Sequence, residues 1–420
     1  MDWTLCFISI TSLLCIYWAQ TQFQRGSTAA NLLFILPWAL IAVRNPHAAL
    51  GGLRAYWPVL ALPVFAVLSA AWSDYPGSSL RGGGQYLATA IIGVLAGTCI
   101  KPRTMLWSLL SALGFVTAIG VVGGVSTHWG DVVTLVGLFG SKNYFGLSVA
   151  LLLLTAMALA LKKSQLDLLR GIALAIAMLG PLFLVQSRSI GALVCSVAAA
   201  AVACLCVFIA RFAPHVRAAI VVLIAPLIGV LLIVWSYLGD TSEVLNSLGK
   251  DATLSGRTWL WEWANLAIVE RPILGFGYQA FWQPGNWGAE EIWFHDQHTD
   301  KTGYHFHNTF LQVAVDLGYV GLFVLLATIV AICARIARCV IFYRLEAEQI
   351  FAIAVFLFLL FRLPIEVDLF WQFQLPTVVL SLIWIYLGRP QRQPIRRPRA
   401  PMAGREIISL SGRRYTCLTT

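Results

Sequence analysis

A chain of 420 residues with 59% hydrophobic content, only 11% charged residues and a mean hydropathy of +0.78 has more apolar surface than a water-soluble core can hide. That excludes a soluble globular enzyme. The formal charge of +10 would suit nucleic acid, but its placement between apolar runs marks it as a membrane-orientation signal, and no nucleic-acid partner is expected.

A hydrocarbon core of about 30 Å needs roughly 17 to 25 apolar residues as a helix. Such runs recur from the first residues to about Leu387, and they are continuous and Leu/Ala-rich, not alternating, which excludes a β-barrel. The sequence predicts an all-α, polytopic integral membrane fold. Twelve transmembrane helices are expected at about 3–19, 29–43, 53–72, 85–100, 105–125, 143–161, 170–186, 189–210, 218–237, 308–332, 348–363 and 371–387. The first follows Asp2 without a basic region and shows no small-residue cleavage site near Gln20 to Arg25, so it reads as a retained helix. Most of the nine cysteines, among them Cys6, Cys15, Cys99, Cys195, Cys204, Cys206 and Cys333, fall within or at the ends of these runs without a CxxC pair and read as small hydrophobes.

With both termini cytoplasmic, 20 of the 29 basic residues lie in cytoplasmic connections and the tail, eight lie in the opposite loops, and Arg362 lies inside a helix. The positive-inside rule selects this orientation, with membrane lipids as the surrounding partner. The transmembrane domain is then 1–388, and 389–420 is a basic cytoplasmic tail without apolar periodicity, read as disordered. Between helices nine and ten lies one large extracytoplasmic loop, 238–306, with nine acidic residues against Lys250, Arg257, Arg271 and Lys301.

Within that loop, Ser255 to Glu270 reads as an amphipathic helix in the membrane interface, with Trp259, Trp263 and Leu266 on one face and Arg271-Pro272 ending it. Arg257 falls in its first turn, where a guanidinium beside unpaired backbone N–H groups suits a phosphate or pyrophosphate; the plainer reading is an arginine reaching lipid headgroups. Arg188 sits in Gln186-Ser187-Arg188-Ser189, a minimal turn between two apolar runs at the outer face, and is a functional candidate or a headgroup contact. Arg81, beside Gly82-Gly83-Gly84 in the third loop, and Lys142, beside Asn143, add two cations on the same side.

His305-Phe306-His307-Asn308 leads into helix ten, which Asn308 or Thr309 can cap. A neutral imidazole at His307 can accept a proton from a sugar hydroxyl, or serve structure alone. Asp316, nine residues on, needs a buried partner. His295, Asp296, His298, Asp300, His305 and His307 crowd one loop, yet their spacing matches no standard zinc motif and no thiolate is near, so no metal and no cofactor is expected.

Three segments resemble the O-antigen ligase and polysaccharide polymerase superfamily. They are Gly137-Leu-Phe-Gly-Ser-Lys-Asn143-Tyr-Phe-Gly146, Ser255-Gly-Arg-Thr-Trp-Leu-Trp261 with Arg271-Pro-Ile-Leu-Gly-Phe-Gly277, and His307-Asn-Thr-Phe-Leu-Gln312 with Asp316-Leu-Gly318. The resemblance implies a periplasmic-face glycosyltransferase that joins a polyprenyl-pyrophosphate-linked glycan donor to a glycan or lipid A core acceptor. It also places the chain in a bacterial inner membrane with the large loop periplasmic, and implies that Arg188 and Arg257 hold the pyrophosphate and that His307 activates the acceptor. Arg81 and Lys142 are expected at the substrate because with Arg188 and Arg257 they lie where a lipid pyrophosphate headgroup would be presented, and Asn143 and Asn308 are expected beside them. Many members carry Glu where this chain has Asp316. The Lys142-Asn143 pair is similar to exopolysaccharide polymerases, which tips the reading from ligase to polymerase. A transporter or flippase of the same lipid-linked glycans is the alternative; it would call for internal symmetry and midplane polar groups, whereas here Asp316 and Arg362 are the main intramembrane exceptions.

Overall fold

A computed structural model describes residues 3–19, 27–123, 126–129, 132–139, 141–162, 167–223, 257–297, 301, 304–388, 407–408 and 414–415. In chain order the helices are α1 (Trp3–Ala19), α2 (Ser27–Arg44), α3 (Pro46–Ala55), α4 (Ala61–Leu68), α5 (Pro76–Cys99), α6 (Pro102–Val122), α7 (Lys142–Ala160), α8 (Asp167–Gln186), α9 (Ile190–Ile209) and α10 (Pro214–Leu223). They continue as α11 (Arg257–Glu270), α12 (Trp287–His295), α13 (Thr309–Phe342), α14 (Ala347–Arg362) and α15 (Leu375–Gly388). A small antiparallel hairpin, Ser126–Trp129 with Val132–Leu135, caps the connection from α6 to α7, and 407–408 pair with 414–415 in the tail.

By length and composition α6, α7, α8, α9 and α13 can each cross a membrane, and α2 with α3 makes a sixth if that pair, bent by 106°, is one span. Several apolar helices of this kind make the chain a multi-pass membrane protein. Its buried centre is formed by α7, α14 and α15, whose side chains are covered on nearly every side. By contrast, α8 and α9 leave Met178, Leu182, Val185, Val194 and Val197 exposed, an apolar rim that only lipid solvates well.

Three expectations need correction. The stretch 53–72 is not one α-helix: α3 ends at Ala55, and Trp57–Ala71 is a shorter apolar helical run made of a 3-10 turn Trp57–Leu60 begun at Trp57-Pro58, α4 and a second 3-10 turn Ser69–Ala71. Next, α5 starts about nine residues earlier than expected, so Arg81 and the three glycines lie in its first turns and not in a loop. A Cβ on Gly83 would come within 2.8 Å of the Ala66 backbone, so the glycine admits α4 to close contact. Finally, α12 falls in the large loop, where the sequence reading has no helix. The ninth expected span, 218–237, lies mostly outside the described residues, as do 238–256 of the loop.

The feature that places the site is a break in α13 at Gly318, whose φ of 64° and ψ of −168° leave the helical region. The Arg271–Gly277 turn fills the break. Phe276 N–H donates to Val315 O and Gly277 N–H to Asp316 O, while Tyr319 and Val320 N–H donate to Pro272 O and Ile273 O. The backbone groups that the kink frees are thus satisfied by the turn. A Cβ at Gly275 would lie 2.6 Å from the Asp316 backbone and one at Gly318 would overlap the Ile273 carbonyl, which explains the glycines of this motif. Asp316 is fully buried and accepts from Gln279 N and Gln312 Nε2, both at 3.1 Å, so it ties the turn to the helix.

Candidate functional site

The centre of the site is a carboxylate that the sequence reading did not single out. Glu366 lies in the connection from α14 to α15, and that connection is fastened to the start of α13. Thr309 N–H donates to Leu363 O at 2.8 Å, Thr309 Oγ1 donates to Glu366 O at 2.7 Å, and Asp368 N–H donates back to Thr309 Oγ1 at 3.0 Å. Below it, buried Arg362 pairs with buried Asp368 at 2.8 Å. Removing one partner of such a pair costs on the order of 3–5 kcal/mol, so this pair sets the loop firmly.

Three side chains from separate elements converge on Glu366. Arg257, the first residue of α11, places Nη2 2.9 Å from Oε1 and donates from Nη1 to the Ile365 carbonyl. Asn143, in the first turn of α7, donates from Nδ2 to Oε1 at 2.6 Å. His307 places Nδ1 3.3 Å from Oε2. Burial by itself would raise the Glu366 pKa, but the His307 hydrogen bond and the charges of Arg362, His307 and Arg257 reverse this and hold it at about 2. Glu366 is therefore an ionised acceptor at neutral pH. An ionised carboxylate can only accept, so in this hydrogen bond His307 Nδ1 is the donor.

The backbone around His307 is arranged for this. His307 has φ of 50°, in the left-handed region that few non-glycine residues occupy, and the next residue, Asn308, is extended and caps α13 through its side chain. Trp261 Nε1 donates to Phe306 O at 3.0 Å, so α11 grips the segment directly before the histidine. The face that α11 buries carries Leu260, Ala264, Ala267 and Ile268, packed with Phe276, Ile292, Trp293 and Phe306. Trp259 and Trp263 flank that face and Leu266 is exposed, so the expected apolar stripe is displaced from the buried one.

His305 accepts the His307 backbone N–H on its Nδ1 at 3.1 Å, and the two rings stand 4.1 Å apart. Burial first, and then the His307 charge, push the His305 pKa down from 6.5 to about 3. The groups it senses are His307, Glu366 and Arg257. Below pH 6.5 the unfolded chain takes up a proton here that the folded chain refuses, so the stability present above that pH is lost as pH falls towards about 3. Thermal melting in detergent should therefore fall more steeply from pH 6.5 to 4 for the wild type than for His305→Gln. Parallel melting curves would contradict a buried neutral imidazole.

His305, His307 and Glu366 each offer one atom within 4.8 Å of the others, a spacing that can accommodate a metal ion. The donor set argues against a resident cation. Glu366 is already paired with Arg257, and Arg362 lies close enough to act on its ionisation, so a further cation there meets two positive charges. Of the wider histidine cluster, His295 stacks on Trp259 and bonds Asp296, while His298 and Asp300 lie outside the described residues.

The other candidates fall into two groups. Asn143 and Asn308, expected at the substrate, spend their side-chain oxygens on the protein: Asn143 Oδ1 accepts from Ser189 Oγ at 3.2 Å, and Asn308 Oδ1 accepts from Phe310 N and Leu311 N. Asn143 thereby couples the Ser187–Ser189 turn to Glu366. Arg188, at the tip of that turn, is exposed with φ of 49°. Lys142 is half-buried at the start of α7, and Arg81 is exposed on α5.

Residues 172–326, which include Arg188, Arg257, His307 and Asp316 but stop short of Glu366, match the family described as O-Antigen ligase. Across 388 residues the chain is 28% identical to the exopolysaccharide production protein ExoQ of Rhizobium meliloti (strain 1021), covering 90% of this chain and 87% of that one.

Proposed function

We propose that the chain, whose residues 172–326 match the O-Antigen ligase family and which is similar to an exopolysaccharide production protein, is a membrane glycosyltransferase of the O-antigen ligase and polymerase superfamily that elongates a polysaccharide from a polyprenyl-pyrophosphate-linked donor at the outer face of the bacterial inner membrane. The observation that carries this reading is the convergence of Arg257 and His307 on one ionised, buried carboxylate, Glu366.

A hydroxyl of the acceptor glycan gives its proton to His307 Nε2, and its oxygen forms a bond to the anomeric carbon of the donor. The bond from that carbon to the pyrophosphate oxygen breaks, and its electron pair leaves with the pyrophosphate. Arg257 uses two of its five N–H donors on Glu366 and Ile365, and the remainder face the developing negative charge. Arg188 adds a second cation from the neighbouring turn. The pyrophosphate is already a competent leaving group, so neither nucleotide nor metal is required.

Polymerase is preferred to ligase on the Lys142-Asn143 segment and on the similarity to an exopolysaccharide production protein. Purified protein incubated with lipid-linked repeat units is expected to yield a ladder of longer glycans without any lipid A core. A product only when core is added would make the chain a ligase. A lipid-linked glycan moved across a vesicle membrane without any new linkage would make it a transporter.

A further inference from the structure

Beside His305 opens a cavity of about 450 Å³ that the chemistry above does not use. This lies within the roughly 300–1,000 Å³ typical of small-ligand pockets. Its polar lining is dominated by side-chain amides: Gln279, Gln283, Gln372 and Gln374 all face it, and Trp282 and Trp371 provide half-buried aromatic walls.

The amides are held in place. Gln279 Nε2 donates to Gln372 Oε1 at 2.8 Å, and Tyr278 hydroxyl donates to the same oxygen at 3.1 Å. Gln283 Nε2 donates to the Gln279 carbonyl at 3.0 Å. Gln374 is the exception that points to a ligand. Only 8% of it is exposed, its Nε2 donates to Tyr144 hydroxyl at 3.0 Å, and its Oε1 is buried without a hydrogen-bond partner among the described residues. A buried acceptor left unpaired costs about 1–3 kcal/mol, a cost that a ligand hydroxyl would remove.

We propose that this cavity is the acceptor subsite, and that it holds the end of an uncharged glycan, with Trp282 and Trp371 against pyranose faces and Gln374 Oε1 accepting from a sugar hydroxyl. Planar amides present a donor and an acceptor side by side, which suits the adjacent hydroxyls of a sugar, and indole rings cover the apolar face of a pyranose. No carboxylate lines the cavity among the described residues, and its cation, Lys301, is already paired with Glu290 at 2.5 Å, so recognition rests on hydroxyl groups and not on charge. His305 lines the cavity and its Nδ1 accepts the His307 backbone N–H, so the cavity adjoins the segment that carries the proposed base. The assignment of this ligand as the acceptor rests on the glycosyltransferase reading; the glycan-binding pocket itself does not.

The test is binding of a soluble oligosaccharide, prepared by mild acid hydrolysis of the organism's own secreted polysaccharide and free of lipid and pyrophosphate. It is measured by isothermal titration calorimetry on purified protein in nanodiscs. Wild type and His307→Gln are expected to bind it alike, within about twofold. Gln374→Leu and Trp371→Ala are expected to bind at least tenfold more weakly while melting as the wild type does, and in turnover assays to raise the KM for acceptor with the donor's KM unchanged. Should Gln374→Leu misfold, Trp371→Ala, at a half-exposed position, carries the test alone. Equal binding by wild type and a folded variant overturns the proposal, and so does absence of binding to an active wild-type preparation. Binding that depends on Gln374 and Trp371 in a protein that forms no new linkage would leave the glycan pocket standing and remove the transferase reading.

Discussion

Turnover by His307→Gln is expected to fall by about 10² to 10⁴, the usual contribution of a general base, while donor binding is retained. Glutamine can keep the hydrogen bond that His307 makes to Glu366, because its amide N–H can take the place of Nδ1–H. It cannot take a proton from a sugar hydroxyl at neutral pH. The substitution therefore separates a residue that reacts from one that only holds the loop, and His307→Ala should lose turnover to a similar degree. Donor affinity, measured with a lipid-linked pyrophosphate probe, should remain within a few-fold of wild type, because the proposed mechanism assigns the phosphate-holding charge to Arg257 and Arg188. EDTA treatment is the parallel arm. Full activity in EDTA together with intact turnover in His307→Gln would remove the base assignment, and loss of activity in EDTA with recovery on adding metal would move His305, His307 and Glu366 to a metal site.

Much of this arrangement was legible in the sequence, for reasons particular to each residue. Arg257 and His307 stand at the starts of helices directly after polar segments, and that local context is enough to nominate them. The Arg271–Gly277 turn was visible as a motif, but its purpose, pairing with a broken α13, needed the Gly318 backbone angles. Glu366 carried no such local signal. Its partners lie 59, 109 and 223 residues away, at His307, Arg257 and Asn143, so an acid in Leu363-Pro-Ile-Glu366-Val-Asp368 gains its meaning only when the chain closes. A charge argument would have found it: several cations at one outer rim, with Arg362 in a helix end, call for acids nearby, and the two that follow Arg362 are Glu366 and Asp368. Helix α12 was missed because nine residues are too few for apolar periodicity to show; its clearest signal is the capping Asn286, whose side chain accepts from Gly288 N and Ala289 N. The three glycines in α5 read as loop because glycine disfavours isolated helix, whereas here one of them is needed for contact with α4.

The second large effect is expected at Glu366. Changing it to glutamine preserves shape and hydrogen-bonding reach but removes the negative charge that Arg257 and His307 share. Without an obligate acceptor at Oε2, the imidazole is no longer restricted to Nδ1–H, and the population with a free Nε2 lone pair falls. An analogous carboxylate-to-amide change behind a catalytic imidazole costs up to about 10⁴ in turnover. Glu366→Gln should approach that loss, with normal membrane insertion, because its backbone remains fastened through Thr309. Glu366 is a positioning residue in this reading, and the expected signature is a loss confined to kcat, with the KM values for donor and acceptor within a few-fold of wild type. Arg257→Lys provides the complementary reading. It keeps the charge and loses the planar fork that spans Glu366 and Ile365, so most turnover should be lost. Because both side chains act through one carboxylate, the double variant should be little worse than the poorer single variant. Wild-type turnover in Glu366→Gln, or losses in the two single variants that multiply fully in the double, would mean that the three groups do not act as one unit.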